Sequence, residues 1–357
     1  MEVNQMKYPN LFTSMNIGSV PIKNRAVMTA MCVGLANHDG SVSEPLAAYY
    51  EERARGGAGL IITECTRINE DDAVSHSSML SMSHDRYIAP LKDAVDRVHA
   101  YGTKLFVQLF HPGRQNVVMF PALWRFNERM ARIFPRYWDL FFKITGGFDE
   151  SAMDDPKTVK RMRRYMKPLL APSDVPCGLG VNPIRNQATK AMTIPQIKTL
   201  IGQFVAAAGR VQKAGADGVE LHAAHGYLLQ QFLSPYTNRR EDEYGGTLEN
   251  RMRLLKEIID GIRKECGKDF PISVRLSVEE YYDMIGYAGQ GIVLEEGVKM
   301  AKCLESFGID VLNVSSGNYD TAQTSCEPVS FAQGWRKYLA KAVKDEVRIP
   351  VIAANLI

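Results

Sequence analysis

Residues 218–246, GVELHAAHGYLLQQFLSPYTNRREDEYGG, begin with an apolar run and then place three polar rings within six positions. His222 ends the run, His225 follows three residues later, and Tyr227 follows after two more. A short, near-continuous apolar run is typical of a strand buried on both faces of a parallel sheet. Side chains at the C-terminal end of such a strand lie where α/β proteins form their sites. The three rings could fill space, bind a metal, or hold and protonate a substrate.

Apolar runs of the same kind recur along the chain and alternate with segments of helical periodicity. Ser43 and Thr193 stand where a helix N-terminus needs a capping oxygen, and residues 248–267 form a third amphipathic stretch. Repeated strand–helix units give a parallel sheet, which is either open or closed as a (β/α)8 barrel. Seven strands are predicted, over residues 24–31, 58–64, 104–110, 217–222, 270–277, 309–316 and 349–355.

Polar residues at the ends of these strands decide between the two kinds of sheet. In a barrel the C-terminal ends of all strands converge on one mouth, whereas an open sheet spreads them along an edge. Six strands that each contribute a polar residue to one site therefore favour an α/β fold of the TIM (β/α)8 barrel type. The six residues are Thr29, Glu64, Gln108, His222, Arg275 and Ser315.

The predicted barrel has one strand fewer than it needs. A (β/α)8 barrel closes its hydrogen-bond ladder only with an eighth strand and helix. The sequence stops at Ile357, shortly after the seventh predicted strand. We therefore expect one barrel domain over residues 1–357 that is incomplete at its C-terminus, as in a fragment of a longer protein.

Residues 115–167 interrupt the strand–helix rhythm between the third and fourth strands. From 119 to 167 the chain holds 11 Lys/Arg against 6 Asp/Glu, which leaves 32 against 34 elsewhere. A loop of this length is functional or disordered, and its aromatic content argues against disorder. We predict a helical lid over the barrel mouth. The alternative is that the segment docks a partner subunit, or a membrane surface through a helix at 119–147.

The composition excludes several classes of protein. With 45% hydrophobic and 23% charged residues the chain is of ordinary globular type, and no run approaches the ~20 apolar residues of a membrane helix. The net charge of +3 comes from the insert, so no nucleic-acid-binding face is predicted. Because the 6 cysteines include no CxxC pair and the N-terminus lacks a secretory signal, we expect a cytoplasmic location and no metal site.

The rings of the opening stretch point to chemistry on a carbonyl compound. His222 and His225 supply two ligands for a metal, and no strand-end cysteine or carboxylate completes a set. Two imidazole N–H groups can instead hold a carbonyl oxygen while the Tyr227 phenol supplies a proton. An α,β-unsaturated carbonyl that accepts hydride at its β-carbon needs these parts. A purely structural role for the three rings is the remaining alternative.

The hydride requires a cofactor at the barrel mouth. No GxGxxG motif opens a βαβ unit, so a Rossmann-type nicotinamide site is not encoded. A flavin would need an amide for its pyrimidine edge, which Gln108 offers, and a positive charge near N1, which Arg275 offers. The alternatives are that Gln108 caps a neighbouring loop and that Arg275 pairs with Glu64 across the barrel.

Five stretches resemble the Old Yellow Enzyme family of FMN-dependent ene-reductases. The resemblance is strongest to the bacterial branch that includes 2,4-dienoyl-CoA reductase and the bile-acid-inducible and enoate reductases, and it covers nearly the whole chain apart from the insert. The stretches are NRAVMTAMCVG (24–34), GGAGLIITECT (56–66), VQLFHPGRQ (107–115), the opening stretch (218–246) and ISVRLS (272–277).

This resemblance implies an FMN cofactor that NADH or NADPH reduces. It implies that His222 and His225 bind the carbonyl of a small-molecule substrate and that Tyr227 donates a proton. The substrate would be an enoyl thioester, a steroid or bile-acid enone, or an enoate. FMN contacts are implied for Thr29, Ala30, Met31, Cys32, Cys65, Gln108 and Arg275.

Alternatives remain for one of these residues and for the function as a whole. Cys32 stands where some family members use a cysteine to tune the flavin potential, and a small buried hydrophobe is the alternative. The alternative functions are a truncated or non-catalytic barrel and an amine oxidase that resembles trimethylamine dehydrogenase. The sequence leaves homo-oligomer formation open.

Overall fold

The computed structural model describes residues 8–75, 78–116, 129–130, 133–134, 136–137, 168–177 and 189–354. The lid predicted at 115–167 lies, apart from a few residues, outside this described part of the chain.

Seven strands form one parallel sheet. The described strands are β1 (Met15–Ile17), β2 (Val20–Ile22), β3 (Val27–Met28), β4 (Leu60–Ile62), β5 (Thr66–Arg67), β6 (Leu80–Ser81), β7 (Lys104–Phe110), β8 (Leu169–Ala171), β9 (Thr189–Ala191), β10 (Gly218–Ala223), β11 (Ile272–Ser277), β12 (Val311–Ser315) and β13 (Val351–Ala353). Strands β3, β4, β7, β10, β11, β12 and β13 lie side by side in that order, and each neighbouring pair is parallel. These are the seven predicted strands, and their order follows the chain, as successive βα units require.

The two outermost strands are shorter than predicted. The prediction for β3 was residues 24–31, whereas the strand covers Val27–Met28; β13 covers Val351–Ala353 within the predicted 349–355. Each of the two pairs with a single neighbour among the described residues. The central strand β4 is shortened as well, to Leu60–Ile62 against the predicted 58–64, so an apolar run extends beyond the hydrogen-bonded strand at central and edge positions alike.

Helices cover the outside of the sheet, and the predicted caps are confirmed. Ser43 Oγ accepts a hydrogen bond from Leu46 N at 3.1 Å, and Thr193 forms a capping box with Gln196. The described α-helices are α1 (Glu44–Arg55), α2 (Ile88–His99), α3 (Ile194–Lys213), α4 (Leu228–Leu233), α5 (Leu248–Cys266), α6 (Leu294–Ser306), α7 (Ala322–Ser325) and α8 (Lys337–Glu346). Short 3-10 helices cover Asp85–Tyr87, Gly113–Gln115 and Tyr282–Ile285.

The sheet curves until its two edges share one core. Val27 on β3 packs against a buried apolar cluster that contains Ile352 on β13, and the β1–β2 hairpin completes this cluster. On the opposite side, Arg275 Nη1 on β11 donates to the carbonyl oxygen of Ala30, which follows β3. The strands therefore surround a common interior with the helices outside, which is the TIM-barrel arrangement. Among the described residues, the seam lies between β3 and β13.

Candidate active site

The parallel register brings the predicted polar residues to one end of the barrel. His222 on β10 pairs in register with Arg275 on β11, and Gln108 on β7 pairs with Glu220 on β10. Ser315 ends β12, and the remaining predicted positions directly follow β3 and β4. All of these side chains come from C-terminal strand ends, so they converge on the barrel mouth.

The three rings of the opening stretch form one cluster, in which His222 contacts both of the others. The ring centroid of His222 is 5.2 Å from that of His225 and 4.9 Å from that of Tyr227. Phe110 is the last residue of β7. Its ring centroid lies 4.6 Å from that of Tyr227, in an edge-to-face arrangement, and 5.9 Å from that of His222. The predicted grouping of the three rings is therefore present, and an aromatic side chain from the neighbouring strand forms its wall.

A tight turn after β10 sets the direction of the second histidine. His225 has a left-handed backbone (φ 60°), and Gly226 follows at φ 77°. His225 N donates to Ser277 Oγ at 3.1 Å, and Gln115 Nε2 donates to His225 O at 2.9 Å. Residue 225 also forms an isolated parallel bridge with Asn318. A left-handed residue other than glycine is strained by about 1–3 kcal/mol and persists where its surroundings hold it in place.

Both histidines are neutral in the folded protein. Burial, and after it the positive charge of Arg275, holds the pKa of His222 and of His225 well below the usual value of an imidazole. His225 Nε2 lies 2.7 Å from Ser315 Oγ. His222 Nδ1 is buried and has no hydrogen-bond partner among the described residues. A buried polar atom without a partner is costly in a native protein, so this nitrogen is a candidate to bind a ligand.

The phenol beside them is protonated and has a defined partner. Burial raises the pKa of Tyr227 well above that of free tyrosine, and the neighbouring Tyr319 raises it further. The hydroxyl oxygens of Tyr227 and Tyr319 lie 2.7 Å apart, which is a normal O–H···O hydrogen bond. The site therefore combines neutral imidazoles with a proton-bearing phenol.

Comparison with known proteins identifies the family of the chain. A family model described as "NADH:flavin oxidoreductase / NADH oxidase family" matches residues 10–357. The chain belongs to this family. Membership confirms the resemblance to Old Yellow Enzyme that the sequence showed, together with the FMN cofactor and the NAD(P)H reductant that the resemblance implies.

Named relatives of the NADH:flavin oxidoreductase family differ in length. The chain is 41% identical over 351 residues to "NADH oxidase" of Thermoanaerobacter brockii and 31% identical over 362 residues to "Cinnamate reductase" of Clostridium sporogenes. It covers 46% and 47% of these two relatives, while they cover 98% of the chain in each case. "NADPH dehydrogenase" of Clostridium acetobutylicum is 32% identical over 347 residues, which are 97% of this chain and 84% of that protein. The chain thus spans about half the length of the first two relatives and most of the third.

Solved structures confirm the predicted TIM barrel. The old yellow enzyme homologue from Zymomonas mobilis superposes with a TM-score of 0.69 at 27% identity, over 97% of this chain and 82% of that one. A 2-naphthoyl-CoA reductase complex superposes with a TM-score of 0.76 at 24% identity, over 96% and 46% of the two chains.

The side-chain amide of Gln108, which is predicted to face the flavin, forms hydrogen bonds inside the barrel. Gln108 Nε2 donates to Glu220 Oε1 at 2.8 Å, and Gln108 Oε1 accepts from Cys65 Sγ at 3.3 Å. Gln108 therefore binds a carboxylate inside the barrel with its amide nitrogen and a residue of the neighbouring loop after β4 with its amide oxygen. Because a primary amide carries two donors and an acceptor with two lone pairs, capacity remains for a ligand at the mouth.

Arg275 also fits a flavin better than it fits the alternative. Its Nη1 donates to Ala30 O at 3.1 Å, while its Nε is buried without a partner among the described residues. The predicted alternative, a salt bridge to Glu64, is not among the ion pairs of the described residues. Glu64 Oε2 instead accepts the backbone N–H groups of Val33 and Gly34, at 2.9 and 3.2 Å. Unpartnered donors at the barrel mouth suit a planar, acceptor-rich ring system such as the isoalloxazine of FMN.

The loops after β3 and β4 present the other residues that the resemblance implied. Ala30 is buried, Thr29 is half-buried, and Met31 is 55% exposed. Cys32 is exposed, so the alternative of a small buried hydrophobe is wrong for this side chain. Cys65 is half-buried, and burial raises the pKa of its thiol. These residues stay candidates for FMN contacts, on strand ends that face the mouth.

Tyr319 is a functional candidate that the sequence analysis does not name. Tyr319 lies four residues beyond the end of β12, just as Tyr227 lies four residues beyond the end of β10. The signal was available, because loops after all strands of a barrel face the same mouth.

Two further expectations concern metals and membranes. Among the described residues no group of three or more His, Cys, Asp or Glu side chains is arranged to hold a metal ion. In the same part of the chain, no helix combines the length and the apolar character that crossing a bilayer requires.

Proposed function

We propose that the protein is an FMN-dependent ene-reductase, which uses NADH or NADPH to saturate the C=C bond of an α,β-unsaturated carbonyl compound. FMN, when bound, supplies the hydride that reaches the β-carbon. The observation that carries the proposal is the cluster in which His222, a neutral imidazole, contacts both the neutral His225 and the protonated phenol of Tyr227 at the mouth of a barrel of this family.

Seven residues, which lie on or directly after β3, β4, β7 and β11, would hold the FMN. Arg275 would place its positive charge against the pyrimidine end of the ring, where negative charge accumulates on reduction. Gln108 would direct its remaining donor and acceptor capacity to the same edge. The other contacts are proposed for Thr29, Ala30, Met31, Cys32 and Cys65.

His222 and His225 would donate N–H groups to the carbonyl oxygen of the substrate. Negative charge develops on that oxygen as hydride reaches the β-carbon, so the donors stabilise the transition state more than the ground state. Neutral imidazoles suit this role, because a charged pair would repel each other and Arg275. Loss of one such donor costs about 2.7–4 kcal/mol of transition-state stabilisation.

Tyr227 would protonate the α-carbon. A phenol whose pKa is raised by burial keeps its proton until a strongly basic carbon forms beside it, and the enolate generated by hydride addition is such a base. The chain would thereby add one proton to each hydride that the cofactor delivers.

The substrate class is proposed from the relatives. "Cinnamate reductase" of Clostridium sporogenes aligns over 98% of the chain, which favours an aryl enoate or its thioester over a small enone. A second candidate, an amine dehydrogenase, is favoured by one observation: a histamine dehydrogenase structure from Rhizobium superposes with a TM-score of 0.74 at 25% identity.

Electron flow in the purified, FMN-loaded protein separates these functions. We expect NADH or NADPH to bleach the flavin, and cinnamate or its thioester to restore its colour under anaerobic conditions. In D2O, the saturated product should gain deuterium at the α-carbon, the position that the mechanism protonates from solvent through Tyr227. Bleaching by an amine in place of NAD(P)H would support the dehydrogenase, and a protein that binds no FMN would refute both.

A further inference from the structure

Tyr227 is not the only phenol at the site. Its hydroxyl lies 2.7 Å from the hydroxyl of Tyr319, and the two rings meet edge to face with centroids 5.5 Å apart. Tyr319 is half-buried and comes from the loop after β12, whereas Tyr227 comes from the loop after β10. Two different barrel loops therefore converge on one hydrogen bond.

The loop that carries Tyr319 is fixed by its neighbours. Asn318 is 1% exposed, and its Oδ1 accepts the backbone N–H groups of Asp320 and Thr321 at 2.8 and 3.2 Å. Its Nδ2 donates to the buried carboxylate of Glu280 at 3.2 Å. The same residue forms the parallel bridge to His225. The second phenol is thus tied to the segment that carries the first, and their contact is preorganised.

The phenolate that remains after Tyr227 has donated its proton must be stabilised. When Tyr227 gives up its proton, a phenolate is left in a partly desolvated site, where unpaired charge is costly. Among the described residues, the partner of the Tyr227 hydroxyl is Tyr319. A hydrogen bond to a charged group contributes roughly twice as much as a neutral one, so the contact strengthens when the phenolate forms.

We propose that Tyr319 is a positioning residue that holds the Tyr227 hydroxyl in place and returns a proton to it; this inference rests on the proposed function. As the Tyr227 O–H bond breaks and the α-carbon gains its hydrogen, Tyr319 donates a hydrogen bond to the phenolate oxygen. The Tyr319 proton then moves to Tyr227, and Tyr319 takes one proton from water at the mouth. Each turnover consumes one solvent proton, which balances the one delivered to the product.

The decisive comparison is a double-mutant cycle in the FMN-loaded protein. Tyr319→Phe removes a single oxygen atom, and we expect reduction of the alkene to slow about 10- to 100-fold while NAD(P)H reduces the flavin at an unchanged rate. Because Tyr319 acts through Tyr227, the double variant Y227F/Y319F should be no slower than Y227F alone.

A spectroscopic signal tests the same contact without turnover. In protein labelled with ¹³Cζ-tyrosine, the resonance of Tyr227 is assigned by its loss in Y227F, and it should shift in Y319F. Tyr281 and Tyr338 provide a matched control, because their hydroxyls also lie 2.7 Å apart and, among the described residues, Tyr281 packs its ring on Trp335 and on none of the three rings. Y338F should change neither the two half-reactions nor the Tyr227 resonance.

Three results would overturn the inference. The first is a Y319F variant with wild-type alkene reduction and an unshifted Tyr227 resonance. The second is a cycle in which the effects of the two substitutions multiply, which would mean that Tyr319 acts independently of Tyr227. The third is unchanged alkene reduction in Y227F, which would overturn the proposed function itself and this inference with it.

Discussion

The neutral state of His222 makes a prediction about stability that needs no cofactor. Burial and Arg275 lower the pKa of this imidazole in the folded protein, whereas the unfolded chain has the ordinary histidine value of about 6.5. Below that pH the unfolded state binds a proton that the folded state does not bind. The contribution of neutral His222 to the free energy of unfolding is therefore fully present well above pH 6.5. It is lost as the pH falls below that value.

The size of the loss follows from the linkage relation. His222 is 2% exposed, so solvent screening is small and the full effect applies. One unit below the unfolded pKa, a histidine that stays neutral when folded contributes about 1.4 kcal/mol of destabilisation relative to pH 7.5. His225, whose pKa burial also holds well below the usual value, adds a contribution of the same sign.

The assay is urea unfolding of the cofactor-free protein at pH 7.5 and pH 5.5. In His222→Gln, which keeps a polar side chain but cannot titrate, the loss of unfolding free energy between the two pH values should be about 1.4 kcal/mol smaller than in the wild type. His38 is exposed, and its replacement by Gln should leave the wild-type pH dependence. An unchanged pH dependence in His222→Gln would show that His222 is not held neutral, and would refute the argument for neutral donors.

Two further predictions concern the frame of the site, both measured by urea unfolding. Gly226→Ala would place a Cβ 2.2 Å from Gln115 Oε1 on a backbone with φ +77°, so we expect a loss of about 1–3 kcal/mol. The loss should exceed that of Gly246→Ala, where φ is +78° but nothing lies within 4 Å, and equal losses would contradict the steric argument. Asp320→Asn would leave the guanidinium of Arg114 unpaired, because both side chains are 1% exposed and lie 2.7 Å apart. We expect a loss of about 3–5 kcal/mol, and a loss below about 1 kcal/mol would show that the pair is dispensable.

The central barrel strands were predictable because they are buried on both faces. The run KLFVQLF was predicted as a strand over 104–110, and β7 covers the same residues. A polar residue at the end of such a run, as in His222 or Arg275, stands out against its apolar context. Polar residues at the ends of apolar runs therefore indicated the residues of the candidate site.

Pairings between distant residues were not predictable in the same way. Tyr227 and Tyr319 are 92 positions apart, and their contact depends on the paths of two loops that no local pattern determines. The sequence suggests a salt bridge between Arg275 and Glu64, because both residues lie at the C-terminal ends of barrel strands. Glu64 instead binds the backbone N–H groups that follow β3, and the arginine reaches Ala30 O. Every residue presents the same backbone groups, so the sequence does not show which of them a side chain will bind.

The central claim is tested most directly by separating the two half-reactions of the FMN-loaded protein in anaerobic stopped-flow experiments. In Tyr227→Phe, reduction of the flavin by NAD(P)H should proceed at the wild-type rate, while reoxidation by the unsaturated substrate should slow about 100-fold or more. Equal slowing of both steps, or no slowing of either, would contradict the account in which this phenol protonates the substrate.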